Sequence, residues 1–405
     1  MLVAFLVILY ALALPYLGLM GLAFVGIFRR GDEPLTDRRP TVSVIIPAHN
    51  EERDLGPTLA SLSAQRYPGE AEFVIVDDRS TDRTAEVIRE AAAREPRMRM
   101  VRVGQPDRRL APKVNAVAHG IAASSGEIIV TSDADCRYPD GWLEGMVAHF
   151  APGVTMVVGY VETTRSGAAR RWLHRFETID WLSLMLVARS LTRFGWKFAS
   201  SANNQAYRRD AFEAAGGFGA IGRAPSGDED LLTQRLGRLP SSRIVFASRE
   251  RTRVLTQPID TWRRFYMQRR RWVSRYHHVM HYHPGFLASI AVLGFQSVLL
   301  SAGVLAALVV PELRPWIAAL WAAEIVVEVA GVGIGALQLG RRDLVGPGLL
   351  GWALLHPFFI ASIVIGSLIR SGEWRAGADP YRRRWFQRRV RAWLRRLRLG
   401  AGREP

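Results

Sequence analysis

"EIIVTSDADC" (Glu127–Cys136) runs a strand-forming segment into two carboxylates, Asp133 and Asp135, one residue apart. Isoleucine, valine and threonine favour the pleated strand, so the Asp-Ala-Asp ending puts paired acids at a strand terminus. In a chain with a formal net charge of +17, such a pair points to a cation held between the acids and something else. Working outward, "TVSVIIPA", "AEFVIVDD" and "MRMVRV" also read as strands, while "EVIREAAARE", "KVNAVAHGIAA" and "GWLEGMVAHF" read as helices. Strand alternates with helix from Thr41 to about Leu255, which predicts an α/β domain with a mostly parallel sheet and helices on both faces. Ligands bind such sheets outside the carboxyl ends of the strands. The polar punctuation falls there: "AHNE" after the first strand, "DDRSTD" after the second, "DAD" after the fourth.

At 405 residues the chain exceeds one ordinary domain, and hydropathy locates the excess. Residues Met1 to Phe28 carry no charge, enough to cross a bilayer core of roughly 30 Å as a helix. A cleavable signal peptide is the alternative, but it has a charged start and a shorter apolar stretch. Arg29 and Arg30 close the segment and, by the positive-inside rule, put the downstream domain in the cytoplasm. Phe286–Val310, Trp316–Leu339 and Leu344–Ile369 are three further stretches of membrane length. If all three span, the arginine-rich tail lies outside, against the charge rule. Leu344–Ile369 holds Pro347, His356 and Pro357, which makes it the candidate for a bent or re-entrant segment. In "PYRRRWFQRRVRAWLRRLRL", Phe386, Val390, Trp393, Leu394 and Leu397 share one helical face among arginines, the pattern of a helix lying on anionic phospholipids. The single cysteine, Cys136, permits no internal disulfide and fits a reducing compartment. The basic charge has no nucleic-acid recognition motif beside it. Glu324 and Glu328 lie four apart in an apolar span, where acids are functional or paired; they are read as lining a lipid groove or joining helices in an oligomer.

The order and spacing of "VSVIIPAHNEE", "VIVDDRSTDRT", "KVNAVAHG", "SDADC", "NNQAYRRDAFEAAGGF", "SGDEDLL" and "QRRRW" resemble a family 2 glycosyltransferase with a GT-A fold and membrane helices. The resemblance covers roughly residues 41 to 275. It implies an N-terminal transmembrane helix at 1–28, a cytoplasmic GT-A catalytic domain at 41–257, an interfacial QxxRW region at 258–285, membrane helices at 286–369 and a basic amphipathic tail at 370–405. The host membrane expected is the inner membrane of a bacterium.

By the same resemblance Asp135 is a ligand of Mg²⁺ or Mn²⁺, and Asp133 contacts the nucleotide and supports the metal. Such ions prefer hard carboxylate oxygens and act as Lewis acids on a departing diphosphate. Glu51 and Asp78, with Asp77 adjacent, map to the nucleoside contacts; carboxylates suit the uracil N–H and ribose hydroxyls. Ser80–Asp82 read as a helix N-cap. Lys113 offers a point charge to the sugar nucleotide. Gln268, Arg271 and Trp272 map to QxxRW, with Arg bidentate to diphosphate and Trp flat against a sugar. Arg269, Arg270 and Tyr266 are expected only to anchor the interface.

The catalytic acid admits two registers. Pairing Asp228 with Glu229 keeps Arg235 and Leu236 at the family's spacing and makes Glu229 the base; pairing Glu229 with Asp230 reproduces the family's letters and makes Asp230 the base. The second is preferred, because a base one methylene longer needs a shifted acceptor or backbone. The implied function is an inverting, metal-dependent hexosyltransferase that moves a sugar from a nucleotide sugar, UDP-linked, to a membrane lipid. A processive polysaccharide synthase is the alternative, disfavoured because so few apolar segments make a narrow bundle. A non-enzymatic transporter or binding protein is a further alternative, which leaves the clustered carboxylates unexplained.

Overall fold

The computed structural model describes residues 2–29, 35–107, 109–163, 171–223, 227–273 and 282–369. The basic tail at 370–405 lies outside the described residues. The apolar segment α1 (Leu2–Phe28) leads into β1 (Val42–Ala48), α2 (Leu55–Ser63), β2 (Ala71–Asp77), α3 (Thr84–Arg94), β3 (Met98–Arg102), α4 (Pro112–Ala122), β4 (Ile128–Thr131) and α5 (Trp142–Val147). Then come β5 (Val154–Gly159), β6 (Val161–Thr163), α6 (Arg171–Thr192), β7 (Gln205–Arg208), α7 (Arg209–Ala214), α8 (Asp228–Gly237), β8 (Arg243–Ala247), β9 (Val254–Thr256) and α9 (Trp262–Val273). Three long helices complete the described chain: α10 (Pro284–Val309), α11 (Arg314–Gln338) and α12 (Pro347–Ile369).

Seven strands form one sheet in the order β3-β2-β1-β4-β7-β5-β8. All neighbours are parallel except β7, which is antiparallel to both β4 and β5. β1 is central: Val42 pairs with Ala71 on one side and Ile128 on the other, so the carboxyl ends of β1, β2 and β4 open on the same edge. Alternation along the strands divides the core. Ile45, Val74, Val76 and Ile129 face α4, α6 and α8, while Val44, Ile46, Phe73, Ile75 and Val130 face α2, α3 and α5. Gly120 lets α4 lie directly on Ile45 and Val76, where a Cβ would collide with both side chains. A separate parallel pair, β6 with β9, lies outside the sheet.

The first of these cores continues without interruption through Phe286 of α10, Val332 and Ala336 of α11 and Trp352 of α12. The α/β domain and the apolar helices therefore share one hydrophobic interior. α1, α10, α11 and α12 fall in the four candidate spans, long and apolar enough to cross a membrane. Pro357 lies inside α12 without ending it; the flanking helices supply packing that tolerates the lost N–H. The second half of α12 lies beside α9: Phe265 stacks on Phe359 at 5.0 Å, the Tyr266 hydroxyl donates to the Ser362 carbonyl at 2.9 Å, and Ser367 Oγ donates to the Arg270 carbonyl.

Glu324 and Glu328 are buried inside the chain's own bundle. Gln296 of α10 donates to Glu324; Tyr16 of α1 donates to Glu328 at 3.0 Å, and His356 Nδ1 of α12 lies 2.8 Å from the same oxygen. The pairing of these acids is made within the chain's own helices.

Candidate active site

The loop after β4 is held from three directions. Ser132 Oγ donates to the Asn203 carbonyl at 2.5 Å, Thr58 Oγ1 of α2 donates to the Ala134 carbonyl at 2.6 Å, and Cys136 N–H closes a turn onto the Asp133 carbonyl. Ala134 and Cys136 are buried, which leaves Asp133 and Asp135 half-buried on the other side of the turn. Lys113, at the start of α4, donates to Asp133. Burial works against its ammonium, but Asp133, Asp228 and Glu229 outweigh that and hold its pKa above the usual lysine range. Asp135 Oδ2 accepts from Thr256 Oγ1 of β9 at 3.3 Å. Burial first, then the Asp133 charge, pushes the Asp135 carboxyl up. Two hard carboxylates crowded in this way suit a divalent cation that takes its other ligands from phosphate and water. Among the described residues no group of three or more His, Cys, Asp or Glu forms a complete metal cage.

The loops after β1 and β2 bind each other. Asn50, with φ of 56°, accepts from Thr81 N–H at 2.8 Å through its side chain and donates its own N–H to Ser80 Oγ at 3.1 Å. Glu51 N–H donates to Thr84 Oγ1 at 2.8 Å. Asp77 is fully buried: Oδ1 accepts from Ser80 N–H at 3.0 Å and Oδ2 is 3.4 Å from Arg102 Nε, so it shapes the loop from beneath. Asp78 pairs with Arg79 at 2.8 Å, and its carbonyl lies 2.7 Å from His49 Nδ1. Of the expected caps only Asp82 acts at the start of α3, accepting from Thr84 N–H at 3.0 Å and Thr84 Oγ1 at 2.6 Å; Ser80 and Thr81 are taken by Asn50.

Gly227, with φ of 83°, turns the chain into α8, whose first turn carries Asp228, Glu229 and Asp230, favourable at the positive end of the helix dipole. Asp230 is buried and its Oδ1 accepts from Ser200 N–H at 3.3 Å. Asp228 and Glu229 are half-buried and act electrostatically on Lys113. Burial, then the neighbouring Glu229, pushes Asp228 up to about 7, and the two carboxyls share a hydrogen bond.

Gln268, Arg271 and Trp272 lie on α9. Arg269, expected from its neighbours to be an interfacial anchor, is instead 4% exposed, and its Nε donates to Asp180 of α6 at 2.6 Å. Tyr266 and Arg270 pack on α12 near Gly366. Sequence reasoning missed Asp180, Arg269 and Thr256. The signal for Arg269 was present: it is four residues after Phe265, on the helix face that packs inward.

Residues 43–216 match the model of the family described as Glycosyl transferase family 2. A Bacillus subtilis protein named "Probable glycosyltransferase YdaM" is 29% identical over 249 residues, which are 58% of this chain and 54% of that protein. The undecaprenyl-phosphate 4-deoxy-4-formamido-L-arabinose transferase of Pectobacterium carotovorum is 32% identical over 183 residues, 44% of this chain and 52% of that enzyme. The chain thus spans about half the length of these curated relatives. The mannosyltransferase PcManGT of Pyrobaculum calidifontis, solved in complex with GDP-Man and Mn²⁺, superposes with a TM-score of 0.57 at 19% identity, over 90% of this chain and 99% of that one. That likeness establishes the fold: a GT-A domain joined to apolar helices.

Proposed function

Because residues 43–216 belong to glycosyl transferase family 2, and the domain shares its core with helices of membrane-spanning length, we propose that the chain transfers one sugar from a nucleotide sugar to a lipid in the membrane, with inversion. The observation that carries this reading is the meeting of Asp133, Asp135, Lys113, Asp228 and Glu229 around the carboxyl end of β4. The undecaprenyl-phosphate transferase and the GDP-mannose complex among its relatives support a lipid acceptor and a nucleotide-sugar donor.

In this reading Glu51 and Asp78 bind the nucleoside, with UDP as the donor carrier, and Asp77 fixes their loop. Asp135, supported by Asp133, would hold Mg²⁺ or Mn²⁺, which would supply Lewis-acid stabilisation of a departing diphosphate. Lys113 adds a cation on the donor side, and Arg271 with Gln268 and Trp272 completes the diphosphate and sugar contacts. The base is Glu229, with Asp228 as its partner; Asp230 is committed to Ser200 N–H. A carboxylate beside Asp228, whose own carboxyl is pushed up to about 7, is suited to taking the proton of an attacking hydroxyl. A phosphate dianion needs no such base and would be repelled by it, so the acceptor proposed is a hydroxyl-bearing lipid. The catalytic domain is assigned to the cytoplasmic side. The basic helix α9 belongs at a membrane surface, and its contacts with Ser362 and Ser367 support placing the second half of α12 beside that same surface.

The test is transfer by the purified protein in nanodiscs, with UDP-hexoses, UDP-N-acetylhexosamines or GDP-mannose as donors and diacylglycerol or undecaprenyl phosphate as acceptors. A lipid heavier by one sugar by mass spectrometry supports the reading. A ladder of additions points to a processive synthase, and transfer from no donor sinks both.

A further inference from the structure

Arg269 joins the apolar helices to the QRRRW segment through a line of buried and half-buried polar groups. On one side its Nη1 donates to Gln268 Oε1 at 2.5 Å, and its guanidinium lies 4.2 Å from the ring centre of Trp272, 4.6 Å from Phe265 and 5.3 Å from Trp181. On the other side it pairs with Asp180 Oδ2 at 2.6 Å. The second oxygen of Asp180 is 3.9 Å from His356 Nε2, and the other His356 nitrogen is 2.8 Å from Glu328, which also holds Tyr16. The line therefore runs from α1 and α11 through α12 and α6 to α9.

Attachment of α9 needs no charges, since Phe265 on Phe359 already packs it apolar to apolar. A buried ion pair adds little net stability because desolvation offsets the attraction, yet uncovering one partner is costly, so the pair admits one arrangement. The planar guanidinium fixes an angle as well as a distance. α9 also carries Arg263, Arg264, Arg270 and Arg271, charges that alone would let a membrane surface accept several rotations of the helix about its axis. The Asp180 contact selects one.

We propose that Asp180 and Arg269 are positioning residues for sugar transfer: they set the rotation of α9 so that Gln268 and Trp272 face the donor, and His356 with Glu328 ties that rotation to the packing of the apolar helices. The inference rests on the donor role proposed for Gln268 and Trp272. Asp180 touches no substrate in this scheme; it acts through Arg269.

The experiment compares wild type with Asp180→Asn, alone and in a Gln268→Ala background, in nanodiscs, reading kcat and KM for transfer together with UDP affinity by calorimetry. Asp180→Asn is expected to lower kcat/KM by roughly 10- to 100-fold, the scale of a small misplacement of catalytic groups. UDP affinity, carried by the β1 and β2 loops, is expected to change less than about threefold, and the loss in the Gln268→Ala background to be of that same small size because both changes act on one element. His356→Gln, which leaves the Asp180–Arg269 pair in place, decides the matter if Asp180→Asn does not fold, with an expected loss of roughly three- to tenfold in kcat/KM. Unchanged kcat/KM in the folded Asp180 variant, or in His356→Gln when that variant decides, overturns the inference, as does full additivity with Gln268→Ala. A wild type that transfers no sugar overturns the functional reading beneath it instead.

Discussion

The β1–β4 half of the domain and the β5–α9 half hold their polar residues in opposite ways. In the first, loops at neighbouring strand ends bond one another: Asn50 to Thr81 and Ser80, Glu51 to Thr84, Asp77 to Ser80. Every partner is on the β1 and β2 strand ends, the loops after them or the first residue of α3, so these two loops hold each other without a ligand. In the second, several polar residues find partners far away in sequence and on another layer: Thr256 with Asp135, Arg269 with Asp180, Arg253 with the Leu339 carbonyl at 2.5 Å, Arg341 with Glu162 at 2.6 Å. The loops after β1 and β2 form a local structure, while part of the β5–α9 half is held by contacts to elements far along the chain, the Leu339 carbonyl at the end of α11 among them.

The hardest blow to this contrast is at the seam between the halves. Asp135→Asn is expected to abolish transfer, by 10³-fold or more if several kcal/mol of charge stabilisation is lost, with thermal stability unchanged; activity that survives EDTA removes the metal from the scheme. Glu229→Gln is expected to cost roughly 10²-fold or more with a hydroxyl acceptor, the scale of a lost general base, while activity toward a lipid phosphate is spared. Asp230→Asn is then the milder change, roughly tenfold or less, accompanied by a lower melting temperature because a buried hydrogen bond is weakened. The reverse ranking restores Asp230 as the base.

A pH profile sharpens the same point. With Asp228 pushed up to about 7 by burial and by Glu229, kcat/KM should fall as pH drops through that value, because Asp228 takes up a proton and the pair loses one of its two negative charges. Stability moves the other way: an acid whose folded pKa is raised stabilises the fold below its unfolded value, and that contribution is lost as pH rises through about 7. A flat rate profile from roughly pH 5 to 8, measured at saturating metal, removes the pair from catalysis. The smallest effect belongs to the local half. Asn50→Ala removes the Thr81 contact and forces a non-glycine, non-asparagine residue to φ of 56°, at a cost of about 1 kcal/mol each; donor KM should rise several-fold with kcat unchanged.

The same division explains what could be read from the sequence. β1 to β4 are short apolar runs ended by turn residues, so period and punctuation located them, and the four apolar helices follow from length and hydropathy alone. β7 carries no local sign that it inserts antiparallel between β4 and β5; that order is imposed by the return of the chain after α6. In α6, Leu173, Phe176, Ile179, Leu182 and Leu186 are buried at helical spacing, but nothing local to Glu177 and Asp180 shows that their partners, the Ile259 N–H and Arg269, lie on later segments. At α8 the letters "DED" offered two registers, and only the burial of Asp230 against Ser200 separates one acid from its neighbours.

Cys136 closes the aspartate turn with its side chain inward, 0% exposed, between Asp135 and the amide of Asn203. As the chain's single thiol, it is a silent background for site-directed labelling. Cysteines placed at Leu35 or along the exposed face of α10 can be read with maleimide without first removing it. It is also an intrinsic gauge of the turn: a reagent reaches it only when the loop after β4 opens, so its rate of modification measures that opening. Slower modification with Mn²⁺ and nucleotide than with either alone would show the two ligands closing one loop together, and equal rates would show that they bind apart.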